Sequence, residues 1–292
     1  MNIDEIFARK RVVFSFEVFP PKSTTPIESI YRTIDSLTGL EPDFISVTYG
    51  AGGSGAMDAT ADIAALIKSR GIEPLAHLTC LYHSAAQIDA VAQKLKEMGL
   101  TNILALRGDR RPDIQPVGEF SHADELIAYL HKKGGFHLSA ACYPEAHPES
   151  RNLDEDVRYL KRKVEAGATH LVSQLFFDNN DFYAMLDKAR NHGITVPIEA
   201  GIMPILNKKQ IERIVSNCGA SLPKKYVKML NRFEHDPAAL SDASMSYAVE
   251  QIVDLISNGV DGIHLYTMNR PEVAQHIYGS VKNILQYENS RG

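Results

Sequence analysis

A carboxylate, a guanidinium group and several hydrogen-bonding side chains each follow a short apolar run in this sequence. Glu17 lies among aromatic residues in the stretch 14–21, and Arg107, Gly108 and Asp109 end another apolar run. Aromatic neighbours are expected to desolvate Glu17, and desolvation disfavours the ionised form of a carboxylic acid, which suits a general acid. Arginine binds phosphate or carboxylate groups, and glycine lets a ligand approach the backbone. The sequence therefore predicts a buried acid near an anion-binding loop.

Both features also have a purely structural interpretation. Glu17 could pair with an arginine at the same end of the strands. Arg107 could pair with Asp109 and simply close the loop, although Asp109 could equally accept a hydrogen bond or tune a cofactor. A functional role is the favoured interpretation for Glu17, because apolar residues precede and follow it.

Further polar side chains follow other apolar runs. His77 and His147 are scattered, which predicts neutral hydrogen bonding and no metal site. Asp156, Tyr159 and Lys163 share one helical face, for which an exposed amphipathic helix is the default interpretation. An amide, a phenol and a guanidinium group complete the set and could bind a polar heterocycle or a carboxylate: Gln174, Tyr266 and Arg270.

The set lacks a nucleophile–base pair, and no lysine lies within the apolar runs, which disfavours a Schiff-base aldolase. What it offers is one acid, many hydrogen-bonding groups and a few cations. Such a set is typical of an enzyme whose cofactor carries the difficult chemistry.

Nearly all of the eight short apolar runs in this sequence end in a residue that can do chemistry, and helix-patterned segments separate the runs. The runs span residues 12–17, 44–49, 74–79, 103–107, 136–141, 170–174, 198–202 and 263–266. Strands alternating with helices predict parallel pairing, and eight such units predict a (β/α)₈ TIM barrel whose active site lies at the carboxyl ends of the strands. No linker-like tract divides the sequence, so residues 1–292 are predicted to form a single domain.

Helix boundaries can be predicted from capping residues and periodicity. A helix is expected over residues 84–98, ending at Gly99, and another is expected to begin at Asn152 with a capping box. Extra helices are expected between strands 7 and 8, over residues 208–217 and 223–233, above the rim of the barrel. Residues 241–258 are expected to form the ordinary crossover helix.

The composition limits the kinds of partner. A net charge of −5 argues against general nucleic-acid binding, which needs a basic surface. Three cysteines form neither a disulfide framework nor a zinc pattern and are typical of reduced thiols in the cytosol. The amino terminus lacks the pattern of a signal peptide, and no apolar run approaches the length of a membrane span. A cytoplasmic protein is therefore expected.

The glycine-rich segment 50–55 matches the G-x-G-x-x-G pattern of dinucleotide-binding folds. That motif also needs an acidic residue after the next strand, where this sequence has His77 to Cys80. We therefore interpret the segment as a loop that a planar ligand approaches closely.

Taken together, these motifs resemble the bacterial, catalytic-domain-only type of flavin-dependent methylenetetrahydrofolate reductases, almost from end to end. The matching segments occur in family order at residues 15–22, 47–53, 77–80, 106–109, 143–148, 160–163, 174–178, 201–204 and 266–270. The resemblance implies a barrel that binds FAD and reduces 5,10-methylenetetrahydrofolate to 5-methyltetrahydrofolate, as in one-carbon metabolism and methionine biosynthesis. NADH or NADPH and the folate would use the same flavin face in turn, by a ping-pong mechanism.

The resemblance also implies roles for individual residues. Glu17 would be the acid that helps open the five-membered ring of the folate to the iminium. Asp109 would lie by the flavin, influence its electronics and contribute to folate binding. The folate and nicotinamide site would include Gln174, Tyr266 and Arg270. The FAD site would include Thr48 and Tyr49 at the isoalloxazine and, for the rest of the cofactor, His77, Arg107, Gly108, His122, Ala123, Tyr143, His147, Asp156, Arg162 and Lys163.

The sequence departs from the family pattern in three places. Lys208 stands where an aromatic residue often stacks on the substrate, Val18 replaces a frequent aromatic residue, and residues 110–113 replace a common Pro-Pro-Gly turn. These changes leave open whether the electron donor is NADH, NADPH or a partner protein. The resemblance further implies a homo-oligomer and, since the chain ends at Gly292, no allosteric control by adenosylmethionine. Two alternative functions are an electron-transferring flavin subunit and a flavin-barrel reductase of another heterocycle.

Overall fold

The computed structural model describes residues 1–21, 26–49, 54–207 and 218–291 of the chain. Eight parallel strands close into a barrel in which each strand pairs with its neighbour in sequence and β8 pairs with β1. This arrangement confirms the predicted (β/α)₈ barrel.

The strands lie within two residues of their predicted positions, and helices alternate with them. The strands are β1 Val13–Val18, β2 Phe44–Val47, β3 Glu73–Thr79, β4 Asn102–Leu106, β5 His137–Cys142, β6 Ala168–Ser173, β7 Ile198–Ile202 and β8 Gly262–Tyr266. The helices of the described residues are α1 Ile3–Phe7, α2 Ile27–Thr38, α3 Ser54–Ser69, α4 Ala85–Glu97, α5 Ala123–Lys133, α6 Leu153–Glu165, α7 Asn179–Asn191, α8 Lys224–Phe233, α9 Pro237–Ser257 and α10 Pro271–Asn289.

Strand β1 shows how an apolar run can carry a catalytic acid. Successive side chains of a strand point to opposite faces. Phe14 and Phe16 join the buried core between the strands and the helices, and the Phe14 ring centroid lies 5.5 Å from that of Tyr278 in α10. Ser15 and Glu17 point into the barrel, where they contact residues of β7 and β8. The expectation that these aromatic residues surround Glu17 is therefore wrong, because they occupy the opposite face of the strand.

Helix α1 closes the amino-terminal end of the barrel. Its buried residues Ile3 and Ile6 form an apolar cluster with Val13, Phe44 and other strand residues. The side-chain oxygen of Asn102 accepts a hydrogen bond from the Ile3 amide at 3.2 Å. Among the described residues, apolar side chains fill this end, which leaves the carboxyl ends of the strands as the approach for a ligand.

The crossover helices follow most of their predicted boundaries. Helix α4 begins after its cap Ser84, and helix α6 begins after Asn152, whose side chain accepts the Glu155 amide at 2.9 Å. Helix α9 begins at Pro237, four residues before the predicted start, because Asp236 caps it by accepting the amides of residues 238 and 239. None of the helices in the described part of the chain has the length and apolar character that crossing a membrane requires.

The prediction of an extra helix at residues 223–233 is confirmed by α8. The other predicted helix, at residues 208–217, lies outside the described residues. Tyr226 and Leu230 of α8 are buried against Leu175 and Phe177, which follow β6, and against Ile205, which follows β7. Helix α8 therefore covers the carboxyl ends of these strands, at the end of the barrel where the active site is expected.

Candidate active site

A cavity of about 1410 Å³ lies at the carboxyl ends of the strands. A pocket for a drug-sized ligand usually measures about 300–1,000 Å³, so this one has room for a dinucleotide or for two smaller ligands. The lining includes all but one of the residues that the sequence singled out as catalytic or binding. These are Glu17, Thr48, Tyr49, His77, Arg107, Gly108, Asp109, His122, Ala123, Tyr143, His147, Asp156, Arg162, Lys163, Gln174 and Tyr266. Their individual roles stay predictions.

The remaining candidate, Arg270, is not among the described residues that line this cavity. It precedes the first residue of α10, and its Nε donates to Oε1 of Glu272 at 2.8 Å, with 48% of the side chain exposed. Lys208, which replaces the aromatic residue common in the family, and residues 50–53 of the glycine-rich loop lie outside the described residues.

Glu17 lies at the carboxyl end of β1, and three polar groups approach the same oxygen of its carboxylate. Oε2 accepts a hydrogen bond from Ser46 Oγ at 3.4 Å and lies 3.5 Å from Nε2 of His264 and 3.6 Å from Nε2 of His77. The side chain is 17% exposed and borders the cavity. Two histidines and a serine thus take the place of the arginine partner that a purely structural role would have favoured. With Oε2 held on the barrel side, Oε1 is the oxygen available to a ligand.

His77 is a buried histidine with an unpartnered nitrogen. It is 6% exposed, and within the described residues its Nε2 has no hydrogen-bond partner. Burial lowers the pKa of His77 to about 4, although the nearby Glu17 carboxylate opposes this effect and His264 adds to it. The imidazole is therefore neutral at physiological pH. Its role as a hydrogen-bonding group stays a prediction.

The lowered pKa of His77 makes the stability of the protein depend on pH. Between its ordinary value of 6.5 and about 4, the unfolded chain takes up a proton that folded His77 does not. The free energy of unfolding should therefore fall through this window, by about 3 kcal/mol below pH 4. We expect the stability difference between the parent and His77→Asn to shift by this amount in favour of the variant as the pH falls. Urea unfolding at pH values from 7.5 to 4 measures this shift.

His276→Asn is the control, since His276 is exposed on α10 and its side chain forms no ion pair with the described residues. Its stability difference from the parent should stay constant over the same range. A His77→Asn difference that also stayed constant would contradict the low pKa of His77.

Arg107, which follows β4, brings a cationic side chain to the cavity. Both terminal nitrogens of Arg107 donate to the Glu149 carboxylate, at 2.6 and 2.8 Å, and this pairing lowers the pKa of Glu149 to about 2. Arg107 therefore pairs with Glu149 and does not form the alternative local pair with Asp109. Gly108 has a φ of 89°, and an added Cβ would lie 3.2 Å from the side chain of Thr79. The loop after β4 thus brings its backbone to the cavity where a larger residue would be strained.

Helix α6 brings a second cation to the same cavity. Lys163 donates to the carbonyl oxygen of Ala141 at 2.8 Å, and burial lowers its pKa, an effect that the Asp156 carboxylate opposes. Asp156 is only 9% exposed and accepts from Ser150 at 2.8 Å, whereas Tyr159 is 45% exposed. The interpretation of this face as fully exposed is therefore wrong for Asp156.

Tyr266 crosses the top of the barrel beside a glycine. Its hydroxyl donates to the carbonyl oxygen of Ser173 at 2.8 Å, and burial raises its pKa well above the ordinary value. Gly201 of β7 leaves room for this contact. A Cβ on Gly201 would overlap the same Ser173 carbonyl oxygen and lie 2.8 Å from Cε2 of Tyr266.

Gly201→Ala is therefore expected to displace Tyr266 and to lower the free energy of unfolding by about 1–3 kcal/mol, the usual cost of overpacking. Chemical denaturation measures the loss. Gly279→Ala is the matched control, because Gly279 lies within α10 with nothing within 4 Å of an added Cβ. The control should gain about 0.5–1 kcal/mol from the better helix propensity of alanine. Equal stability of Gly201→Ala and the parent would show that β7 shifts to accommodate the added methyl group without strain.

Some residues of this site escaped the sequence analysis. Ser46 and His264 contact Glu17, and Glu149 binds Arg107. Strand periodicity offered a signal for His264, which lies two residues before Tyr266 and so points to the same face. Glu149 had no comparable signal, because it follows β5 in an irregular loop.

The family model and three similar proteins that match this chain all bear the name methylenetetrahydrofolate reductase. A family model described as methylenetetrahydrofolate reductase matches residues 2–282. A 5,10-methylenetetrahydrofolate reductase of Pectobacterium carotovorum is 36% identical over 273 residues, which cover 91% of this chain and 89% of that protein. The enzyme of the same name from Escherichia coli is 34% identical, with 90% and 88% covered. Methylenetetrahydrofolate reductase (NADH) 1 of Arabidopsis thaliana is 34% identical, but the match spans only 48% of its length.

A solved structure shares the fold. It is an uncharacterized protein from Clostridium thermocellum that binds two copies of 5-methyl-5,6,7,8-tetrahydrofolic acid. The TM-score is 0.65 at 15% sequence identity, and the match covers 98% of this chain and 99% of that one.

Proposed function

Because this chain belongs to the methylenetetrahydrofolate reductase family, we propose that it reduces 5,10-methylenetetrahydrofolate to 5-methyltetrahydrofolate with FAD as cofactor and NADH or NADPH as electron donor. The observation that carries the proposal is the position of Glu17. It is a mostly buried carboxylic acid at the carboxyl end of β1, held through one oxygen and open to a large cavity through the other.

The residues of the cavity fit FAD. Arg107 and Lys163 provide positive charge for a diphosphate, and the side chains of His147 and Tyr143 lie beside them, with ring centroids 4.8 Å apart. The unpartnered Nε2 of His77 is a buried polar atom at the same cavity, and such an atom favours a polar ligand. When bound, FAD would supply the two-electron hydride chemistry that amino-acid side chains lack.

The protein's own groups would bind and orient the folate and control one proton. Glu17 would hold a proton at Oε1 and donate it to a ring nitrogen of the folate, which assists opening of the five-membered ring. Ser46 and His264 would keep the carboxyl group in place during this transfer. Tyr266 and Gln174 would border the folate and the nicotinamide in turn, as a ping-pong cycle requires. The Clostridium thermocellum protein of the same fold binds 5-methyl-5,6,7,8-tetrahydrofolic acid, which supports the proposal that this fold can hold a folate.

Anaerobic stopped-flow spectroscopy of the purified protein tests the proposal. NADH or NADPH is added first and 5,10-methylenetetrahydrofolate second, while the flavin absorbance is followed. Bleaching by a nucleotide and recovery with the folate would support both half-reactions and identify the donor. Recovery with the folate but no bleaching by either nucleotide would indicate a protein electron donor. A protein that does not take up FAD would refute the proposal. If the folate did not reoxidise the reduced flavin, a reductase of another heterocycle or an electron-transferring subunit would be favoured.

A further inference from the structure

The barrel interior below Glu17 is polar, although this fold usually fills its interior with branched apolar side chains. Ser15, His170, Glu199 and His264 are all 0% exposed. A buried carboxylate such as Glu199 is costly unless it is paired and hydrogen-bonded. The proposed chemistry makes no direct use of Glu199 or His170.

The polar groups form a continuous chain from Glu199 to Glu17. Oε1 of Glu199 accepts a hydrogen bond from Ser15 Oγ at 2.9 Å, and the same oxygen of Ser15 lies 2.6 Å from Nδ1 of His264. The other ring nitrogen of His264, Nε2, lies 3.3 Å from Ser46 Oγ and 3.5 Å from Oε2 of Glu17. Glu199 is thereby connected to the proposed acid through two side chains.

His170 fixes the far side of Glu199. Its Nε2 lies 3.1 Å from Oε2 of Glu199, and its Nδ1 lies 2.9 Å from Ser139 Oγ. The ring is also confined by Phe7 of α1, with centroids 4.7 Å apart. Both oxygens of Glu199 therefore have a partner, and the carboxylate has little freedom to turn away from Ser15.

The single hydroxyl proton of Ser15 determines which ring nitrogen of His264 carries a proton. A serine hydroxyl has one proton to donate, and Ser15 donates it to Glu199. The contact between Ser15 Oγ and His264 then requires a proton on Nδ1. With no second proton on the ring, Nε2 keeps a lone pair and accepts the hydroxyl proton of Ser46 at 3.3 Å, so in this state Ser46 does not donate to Oε2 of Glu17. A lone pair favours the protonated carboxyl group, whereas an N–H at this position would favour the carboxylate.

We propose that Glu199 is a positioning residue for the acid step: through Ser15 it keeps the His264 proton on Nδ1, so that Glu17 retains the proton it donates. This inference rests on the proposed function and assigns a further residue to the same site.

Other titratable groups face this chain from the neighbouring strands. His77 of β3 lies 3.6 Å from Oε2 of Glu17, and Tyr266 of β8 has its ring centroid 5.2 Å from that of His264. Phe44 of β2 contributes an uncharged ring, 6.2 Å from His264. The neutral state of His77 leaves His264 as the neighbour whose protonation can bias Glu17.

The first test is the tautomer of His264, which does not depend on turnover. The protein is labelled with ¹⁵N-histidine, and the His264 signals are assigned as those missing from His264→Asn. At pH 7.5 we expect the parent to carry a proton on Nδ1 alone. In Glu199→Leu, Ser15 is free to donate to Nδ1, so the proton should move to Nε2. A parent with a proton on Nε2, or an unchanged tautomer in Glu199→Leu, would overturn the proposal.

The second test compares the two half-reactions in the stopped-flow assay. Glu199→Leu should slow flavin reoxidation by the folate about tenfold or more, a part of the usual contribution of a general acid, and should leave reduction by the donor unchanged. The pH at which reoxidation slows should move to lower values. Glu199→Gln keeps an acceptor for Ser15 and should stay within about threefold of the parent. Equal slowing of both half-reactions in Glu199→Leu would contradict a positioning role.

Ser15→Ala is the second variant for the tautomer measurement if Glu199→Leu does not fold. It removes the oxygen next to Nδ1 and should also abolish the preference for a proton on Nδ1, whereas a parent-like tautomer would overturn the proposal. The exposed Glu250 of α9, which pairs with Lys225 of α8, provides the control Glu250→Leu, for which no change is expected in either test. If the parent did not reduce the folate at all, the proposed function would fail, while the tautomer measurement would still decide the link from Glu199 to His264.

Discussion

Glu17→Gln is expected to abolish folate reduction while the protein still binds FAD and accepts electrons from the donor. Glutamine has nearly the shape of glutamate and can keep the contact of its oxygen with Ser46, but it has no proton to transfer. General acid catalysis contributes about 10²–10⁴-fold, so the rate of flavin reoxidation by 5,10-methylenetetrahydrofolate should fall by that factor. Stopped-flow measurement of each half-reaction separates the two effects.

Glu250→Gln is the control for this substitution. Glu250 of α9 pairs with Lys225 of α8 at 2.7 Å, both side chains are exposed, and neither residue lines the cavity, so the loss of this charge should alter neither half-reaction. Slower reduction by the donor in Glu17→Gln would mean that the substitution disturbs the flavin. Folate reduction at the parent rate would show that another group supplies the proton.

The barrel could be predicted from the sequence because its strands are buried on both faces. Such strands appear as continuous apolar runs, and their spacing with helical segments between them permits few other topologies. The rule that function collects at the carboxyl ends of strands then placed Glu17, Arg107 and Tyr266 at one cavity. Arg270 follows β8 by only four residues, yet it lies outside the cavity because it begins α10 and turns toward Glu272.

The environment of Glu17 could not be predicted from its sequence neighbours. Phe14 and Phe16 precede it, but a strand directs alternate residues to opposite sides, so the groups near its carboxylate come from β2, β3 and β8. Only the register between strands brings them together: Glu17 lies beside Ser46 of β2 and Tyr266 of β8. Contacts between side chains of different strands depend on this register, and the register cannot be inferred from a single sequence.

Arg107→Met is expected to weaken FAD binding by about 10²-fold or more. The Arg107 side chain is only 15% exposed, borders the cavity and donates through two nitrogens in one direction, a geometry suited to an anionic ligand. A hydrogen bond from a charged group contributes about 1.5–3 kcal/mol, and two such bonds correspond to at least this loss of affinity. Methionine fills a similar volume without the charge, so the fold should persist. Titration of the apoprotein with FAD, followed by flavin fluorescence, measures the dissociation constant.

Two further variants make the prediction specific to Arg107. Arg110 lies 3.9 Å from the same Glu149 carboxylate with its side chain 62% exposed, so Arg110→Met should change FAD affinity little. Both terminal nitrogens of Arg107 donate to the Glu149 carboxylate, so an anionic ligand must share these donors with Glu149 or displace its carboxylate. Glu149→Gln, which removes the competing charge, should therefore leave FAD binding as tight as in the parent or tighter. Weaker binding in Arg110→Met than in Arg107→Met would show that the anion site lies further out on the loop, and unchanged binding in Arg107→Met would remove Arg107 from the FAD site.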